Sequence, residues 1–151
     1  MKNKSNVDKL FSFKKEKEVL IPLYDSAVSA GFTSPAEDYI EDYIDLNQYI
    51  IKNPHSTFFV RVRGDSMKGA GIHSGDILVV DKSLISSLEN LKNKIVLAVI
   101  DGEFLVKTLI KKQQKFYLAP ENKDYEKILI TEDMDFQVWG VVSGLIRLYG
   151  K

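Results

Sequence analysis

From residue 58 onward, the sequence is a succession of short apolar runs separated by turn residues. The runs have the length and pattern of β-strands, and the turn signals include Asp101-Gly102, a combination typical of β-hairpins. Many short strands at this spacing predict a mostly-β fold whose core is a curled sheet or a partly open β-barrel. The predicted strands cover 58–63, 77–80, 95–100, 103–110, 115–118, 128–130, 136–142 and 145–148.

Residues 1–57 are more polar and carry a weaker apolar pattern than the rest of the chain. We therefore predict a flexible N-terminal arm ahead of a β domain that covers 58–151. Within the arm, Ser34 and Glu37 form a capping box, the arrangement that starts many helices. Apolar side chains then follow at helical spacing, so the pattern predicts a helix that continues through 39–44.

Composition excludes several classes of function. The longest apolar run, 95–100, is strand-sized, so no segment predicts a membrane-spanning helix. The chain has no cysteine for disulfides or thiolate metal sites, and its two histidines are not spaced as paired metal ligands. The formal net charge is zero, which gives no electrostatic reason to expect autonomous nucleic-acid binding. We expect a cytoplasmic protein without metal or cofactor that works through protein partners.

Ser66 lies where a nucleophile can be exposed. It follows the predicted strand 58–63 and the turn residue Gly64, so its hydroxyl can stand clear of the sheet. At such a strand end, backbone N–H groups can point toward the oxyanion that develops during acyl transfer. The N–H groups of Asp65 and Ser66 are the candidates for this oxyanion hole.

A serine hydroxyl needs a base to remove its proton, and Lys107 can supply one. In its predicted strand, Lys107 shares a face with Leu105 and Leu109. Desolvation between two leucines would lower the lysine pKa from roughly 10.4 toward the about 7–8 that a general base needs at neutral pH. Serine–lysine pairs are a known variant of the serine-nucleophile arrangement. His55 and His73 stay open as alternative bases in a serine–histidine–aspartate triad.

Several segments extend this pattern beyond one serine and one lysine. They are Gly-Asp-Ser-Met at 64–67, Gly-Ile-His-Ser-Gly-Asp-Ile-Leu-Val-Val-Asp at 71–81, Asp-Gly-Glu-Phe-Leu-Val-Lys at 101–107, Ala-Gly-Phe-Thr-Ser-Pro-Ala-Glu-Asp-Tyr at 30–39, Ile-Asp-Leu-Asn-Gln at 44–48 and Trp-Gly-Val-Val at 139–142. Together they resemble the self-cleaving domain of the LexA and UmuD family over roughly residues 20 to 151. The segments before residue 50 make the likeness closer to UmuD than to a repressor.

The resemblance implies that Ser66 is the nucleophile, that Lys107 is the general base, and that the Ala30–Gly31 bond of the chain itself is the substrate. The residues around this bond fit that role, because small side chains on both sides can enter a narrow cleft. Gly31 adds backbone freedom. The family also implies a β fold of the LexA and signal-peptidase kind.

The resemblance further implies a UmuD-like protein of the SOS DNA-damage response. Self-cleavage, stimulated by a RecA filament, would then give the active accessory subunit of a translesion polymerase, with a UmuC-like partner and a homodimeric state. The alternatives are a fragment of a LexA-like repressor and a signal-peptidase-like protease that acts in trans. The 30 residues up to Ala30 are too few for a helix-turn-helix domain, and no membrane anchor is evident. Two segments depart from the family pattern: 83–94 is longer than expected, and 1–17 has no counterpart.

Overall fold

Nine β-strands dominate the part of the chain that this computed structural model describes, residues 17–25 and 39–150. The chain divides into two units, Met1–Tyr49 and Ile50–Lys151. The mostly-β prediction is confirmed, whereas the boundary of the arm at residue 57 stays a prediction. The elements are β1 (Ile21–Tyr24), β2 (Ile40–Ile44), α1 (Leu46–Ile50), β3 (Thr57–Arg61), β4 (Ile77–Asp81), β5 (Ile95–Ile100), β6 (Glu103–Lys112), β7 (Lys115–Ala119), β8 (Ile128–Leu129) and β9 (Phe136–Ile146).

In the first unit, β1 and β2 form a two-stranded antiparallel sheet, with Ile21 opposite Ile44. The helix predicted through 39–44 is therefore wrong over β2. Local apolar spacing fits a helix there, but pairing with β1 supplies backbone partners that no local pattern can reveal. The helix of this region is α1, which begins after Asp45, whose Oδ1 accepts a hydrogen bond from the N–H of Asn47 at 2.9 Å. The predicted helix start at Ser34 lies outside the described residues.

The second unit is built on one antiparallel sheet that curls into a half-barrel, in the order β3-β4-β9-β5-β6-β7-β8. The first half of β9 pairs with β5, and its second half pairs with β4. Register shifts leave Trp139 and Ser143 without a direct partner, which marks two β-bulges. The two strands predicted over 136–142 and 145–148 are thus one strand, because the interruption is a bulge and not a turn.

Two tight hairpins connect the strands on either side of β6. Asp101 and Gly102 join β5 to β6 with φ angles of 49° and 84°. Gln113 and Gln114 join β6 to β7 with φ angles of 51° and 65°. Positive φ at both central residues is the conformation of the type I′ turn, whose twist matches that of the flanking strands. The hairpin predicted at Asp101-Gly102 is confirmed.

The strand β5 is buried on both faces, so the sheet curls around two apolar clusters. Val96 and Ala98 belong to the first cluster, whereas Leu97 belongs to the second. The first cluster consists of Leu91, Val96, Ala98, Leu109, Leu118, Val138 and Val141, and the second of Met67, Ile72, Leu78, Val80 and Leu97. The second cluster includes Met67, the residue directly after Ser66, and so ties the candidate nucleophile to the core.

Asp76, just before β4, is 2% exposed and carries a charge. Its carboxylate accepts hydrogen bonds from Arg147 Nε at 2.7 Å, from Arg147 Nη2 at 2.6 Å and from the N–H of His73 at 2.8 Å. The hydrogen bond from Arg147 is the largest influence, and despite burial the pKa of Asp76 falls to about 2.

Asp81, at the end of β4, is a second buried carboxylate, 4% exposed. Burial alone would raise its pKa, but hydrogen bonds from Asn53, Ser83 and Ser56 outweigh that effect and hold the pKa at about 2. The distances from the Asp81 oxygens are 2.9 Å to Asn53 Nδ2, 2.8 Å to Ser56 Oγ and 2.7 Å to Ser83 Oγ. This network fixes the segment before β3 to the turn after β4.

Candidate active site

Ser66 lies in the turn 64–67, which follows β3 and which we call the nucleophile turn. Gly64 has a φ of 82°, a left-handed conformation that glycine adopts without strain, and it turns the chain out of the strand direction. Ser66 is half-buried, and the next residue, Met67, is 2% exposed in the second apolar cluster. A short 3-10 helix at Lys68–Ala70 follows. The turn thus places the Ser66 hydroxyl at the surface of the core, while the buried side chain of Met67 fixes the backbone.

Lys107 lies on β6 opposite Val96 and reaches Ser66. Its Nζ donates a hydrogen bond to Ser66 Oγ at 2.8 Å. The residue is only 9% exposed, and Leu109 on the same face is fully buried. Among the ion pairs of the described residues, none involves Lys107. Burial without a neighbouring carboxylate lowers the pKa of Lys107, as the leucine-flanked position predicted.

This pair can perform nucleophilic chemistry. Once Lys107 has lost its proton, its lone pair faces the Ser66 hydroxyl and can accept the proton as Oγ attacks a carbonyl carbon. A protonated lysine cannot do so, since it has three donors and no acceptor. Only the neutral amine form of Lys107 can therefore serve as a general base for Ser66.

A cleft of about 260 Å³ adjoins the pair. Its walls are largely apolar and come from the end of β3, the nucleophile turn, β5 and β6. They include Val60, Val62, Met67, Leu97, Phe104, Leu105 and Val106. A cleft of this size and lining can admit small apolar side chains.

The candidate oxyanion donors are free in the described part of the chain. No hydrogen bond there uses the N–H of Asp65 or of Ser66 as donor. Their carbonyl groups, in contrast, are both occupied: Asp65 C=O accepts from Asn122 Nδ2 at 2.9 Å, and Ser66 C=O accepts from the N–H of Glu121 at 2.8 Å. The assignment of these donors to an oxyanion hole stays a prediction.

The sequence pattern does not predict that the segment 120–125 contributes to the site. Its sequence, Pro-Glu-Asn-Lys-Asp-Tyr, signals only a turn, and nothing in it indicates contact with a residue some 55 positions earlier. In the structure, Tyr125 Oη donates to Asp65 Oδ1 at 2.6 Å. The nucleophile turn is therefore held from a second side, which the sequence pattern could not show.

Ala30 and Gly31, the predicted cleavage site, lie outside the described residues. His73 lies in the turn before β4, and the only side-chain partner of Ser66 Oγ within the described ranges is Lys107. Over the same ranges no group of three or more His, Cys, Asp or Glu side chains could hold a metal ion, and no helix is long and apolar enough to cross a membrane.

Comparison with known proteins agrees with this geometry. Residues 22–143 match the Peptidase S24-like family. The chain belongs to that family. The resemblance to LexA and UmuD is thereby confirmed at family level, and the Peptidase S24-like match includes the nucleophile turn, β6 and the segment 120–125.

Three relatives show how far the similarity extends. The chain is 46% identical to protein SamA of Salmonella typhimurium over 126 residues, which is 83% of this chain and 84% of SamA. It is 42% identical to protein MucA of Escherichia coli over 124 residues, 82% of each protein. It is 33% identical to the LexA repressor of Clostridium kluyveri over 147 residues, which is 97% of this chain and 69% of that repressor.

Proposed function

We propose that this protein is a UmuD-like self-cleaving serine peptidase, in which Ser66 and Lys107 cut the bond between Ala30 and Gly31. The observation that carries the proposal is the 2.8 Å hydrogen bond between Lys107 Nζ and Ser66 Oγ, with the lysine buried and without a carboxylate partner among the described residues. Membership of the Peptidase S24-like family supports the same chemistry.

The reaction proceeds in two steps. Neutral Lys107 accepts the Ser66 proton while Oγ attacks the carbonyl carbon of Ala30, and the N–H groups of Asp65 and Ser66 stabilise the oxyanion. The lysinium then gives its proton to the departing nitrogen of Gly31, which leaves an ester between Ser66 and Ala30. Water, deprotonated by Lys107, hydrolyses the ester. The products are a fragment that ends at Ala30 and a chain that begins at Gly31.

The biological role that we propose is that of an accessory subunit for a translesion DNA polymerase in the SOS response. Cleavage, stimulated by a RecA filament, removes the first thirty residues and frees the new N-terminal segment for a UmuC-like partner. The protein acts as a homodimer in the cytoplasm. The support is the UmuD-like segments before residue 50 and the similarity to SamA and MucA across most of their lengths.

The first test is incubation of the purified chain over a range of pH. We expect slow self-cleavage whose rate rises with pH, because burial lowers the pKa of Lys107 and each increment of pH converts more lysinium to amine. N-terminal sequencing of the large fragment should read Gly31-Phe32-Thr33, and Ser66→Ala should give no fragment. A cleavage rate that is constant from about pH 6 to pH 10 would contradict a lysine base.

The second test concerns the partner and uses the parent chain beside a chain that starts at Gly31. We expect the shorter chain to bind a lesion-bypass polymerase more tightly in a pull-down, since it lacks the residues that cleavage removes. Both chains should bind duplex DNA weakly and without sequence preference, because the net charge is zero. Tight, operator-specific DNA binding would favour the repressor alternative. Efficient cleavage of unrelated peptides would favour the signal-peptidase-like alternative.

A further inference from the structure

The segment Glu121–Tyr125 contacts the nucleophile turn through both backbone and side chains. Asn122 Nδ2 donates to the carbonyl of Asp65 at 2.9 Å, and the N–H of Glu121 donates to the carbonyl of Ser66 at 2.8 Å. Tyr125 Oη adds the hydrogen bond to Asp65 Oδ1 at 2.6 Å. Two consecutive peptide groups of the turn are thus held by this one segment, which we call the brace.

The brace is itself fixed to the sheet and to the turn. Thr108, the residue after Lys107 on β6, donates its hydroxyl proton to Glu121 Oε1 at 2.9 Å. The N–H of Gly69 donates to the carbonyl of Glu121 at 2.5 Å. A Cβ atom on Gly69 would lie 2.5 Å from that oxygen, so this approach requires glycine. The brace therefore connects the strand that carries the base to the turn that carries the nucleophile.

The hydrogen bonds to the Asp65 carbonyl determine the direction of the Ser66 N–H, which is a candidate oxyanion donor. A trans peptide group is planar, with its C=O and its N–H on opposite sides. When Asn122 holds the carbonyl of Asp65, the N–H of Ser66 in the same peptide group is directed away from the brace. The Asp65 carbonyl also accepts a hydrogen bond from the N–H of Lys68 at 3.1 Å, and this bond favours the same orientation of the peptide group.

The orientation of the Asn122 side chain is set by two partners. Its Nδ2 donates to Asp65, while its Oδ1 accepts from the N–H of Asp124 at 2.9 Å. An amide flipped by 180° would place two donors, or two acceptors, against each other at both ends. Asn122 is thus built to donate toward the nucleophile turn.

We propose that Asn122 and Tyr125 are positioning residues for the Ser66 nucleophile: they orient the N–H of Ser66 toward the developing oxyanion and hold the hydroxyl against Lys107. The inference rests on the self-cleavage proposed above and adds residues to its site. Neither side chain exchanges a proton in the reaction. Their contribution is to the height of the chemical barrier and not to the ionisation of Lys107.

The test compares pH–rate profiles of self-cleavage for the parent chain, Asn122→Asp and Tyr125→Phe. Asn122→Asp retains the acceptor for Asp124 but cannot donate to Asp65, and Tyr125→Phe removes only a hydroxyl. We expect the rate at the high-pH plateau to fall by about 10- to 100-fold in Asn122→Asp, since misplacing an oxyanion donor has effects of this order. Tyr125→Phe should lower it by about tenfold. The midpoint of the profile, which reports Lys107, should not move in Tyr125→Phe; in Asn122→Asp any movement should be upward, because the added carboxylate favours the lysinium.

Controls separate positioning from stability. Tyr117→Phe removes a tyrosine hydroxyl from β7, where the ring lies under Lys127, and should cleave at the parent rate. Urea unfolding should give similar midpoints for all variants. Asp65→Ala should lower the plateau as much as Tyr125→Phe, and the double variant should be no slower, because both changes remove the same bond.

Two results would overturn the positioning role while leaving self-cleavage intact: parent plateau rates in both Asn122→Asp and Tyr125→Phe, or a shifted midpoint with an unchanged plateau, which would place the effect at Lys107. A parent chain that does not cleave, beside an equally inactive Ser66→Ala control, would overturn the proposed function and this inference with it.

Discussion

Lys107→Arg should lose self-cleavage, with a rate at least about 10²- to 10⁴-fold below that of the parent chain, the range over which a general base contributes. Arginine has a similar length and the same charge, but its guanidinium stays protonated at every accessible pH. It can donate to Ser66 Oγ and cannot accept the proton that Lys107 accepts in the proposed reaction. The measurement is the rate of appearance of the Gly31 fragment from about pH 6 to pH 10.

Lys111→Arg is the matched control, since it makes the same change on the same strand. Lys111 pairs with Glu89 at 2.7 Å and does not contact Ser66, so this variant should cleave at the parent rate. Lys107→Met should also be inactive yet at least as resistant to urea as the parent, because it replaces a buried amine with an apolar side chain of similar length. Retained cleavage in Lys107→Arg, with a midpoint near that of a histidine, would assign the base to His55 or His73.

The free energy of unfolding should fall steeply in acid because of Asp76 and Asp81. Both have a pKa of about 2 in the folded protein, below the roughly 3.9 of an unfolded aspartate. A depressed pKa stabilises the fold above the unfolded value, and that stabilisation is lost as the pH falls through the folded value. We expect each carboxylate to contribute up to about 2 kcal/mol at neutral pH, lost between about pH 4 and pH 2.

Urea unfolding at a series of pH values measures this dependence. Asp76→Asn and Asp81→Asn should each be less stable at neutral pH and should show a shallower loss in acid. Glu126→Gln removes an exposed carboxylate and serves as the control, with a slope like that of the parent. An acid slope that is the same in the parent and in both asparagine variants would show that these two networks do not determine acid stability.

The buried position of Lys107 could be predicted from the sequence because strand alternation is a local property. Lys107 shares a face with two leucines whatever the rest of the fold does, and burial and a lowered pKa follow from that position. The same local reasoning failed for β2, whose apolar spacing suits a helix until β1 pairs with it. Local sequence patterns also do not predict the brace, because Asn122 and Asp65 come into contact only in the tertiary structure.

The position of β9 in the sheet determines when Ser66 and Lys107 can come together during synthesis. The nucleophile turn follows β3, which joins the sheet through β4, whereas Lys107, the proposed base, is on β6, which joins the sheet through β5. The strand β9 lies between β4 and β5 and follows all of them in the sequence. A nascent chain that has not yet emerged beyond residue 136 cannot join the two halves through this strand. In the proposed reaction, the Ser66–Lys107 pair is therefore completed only after the segment that contains Ala30 and Gly31 has been synthesised.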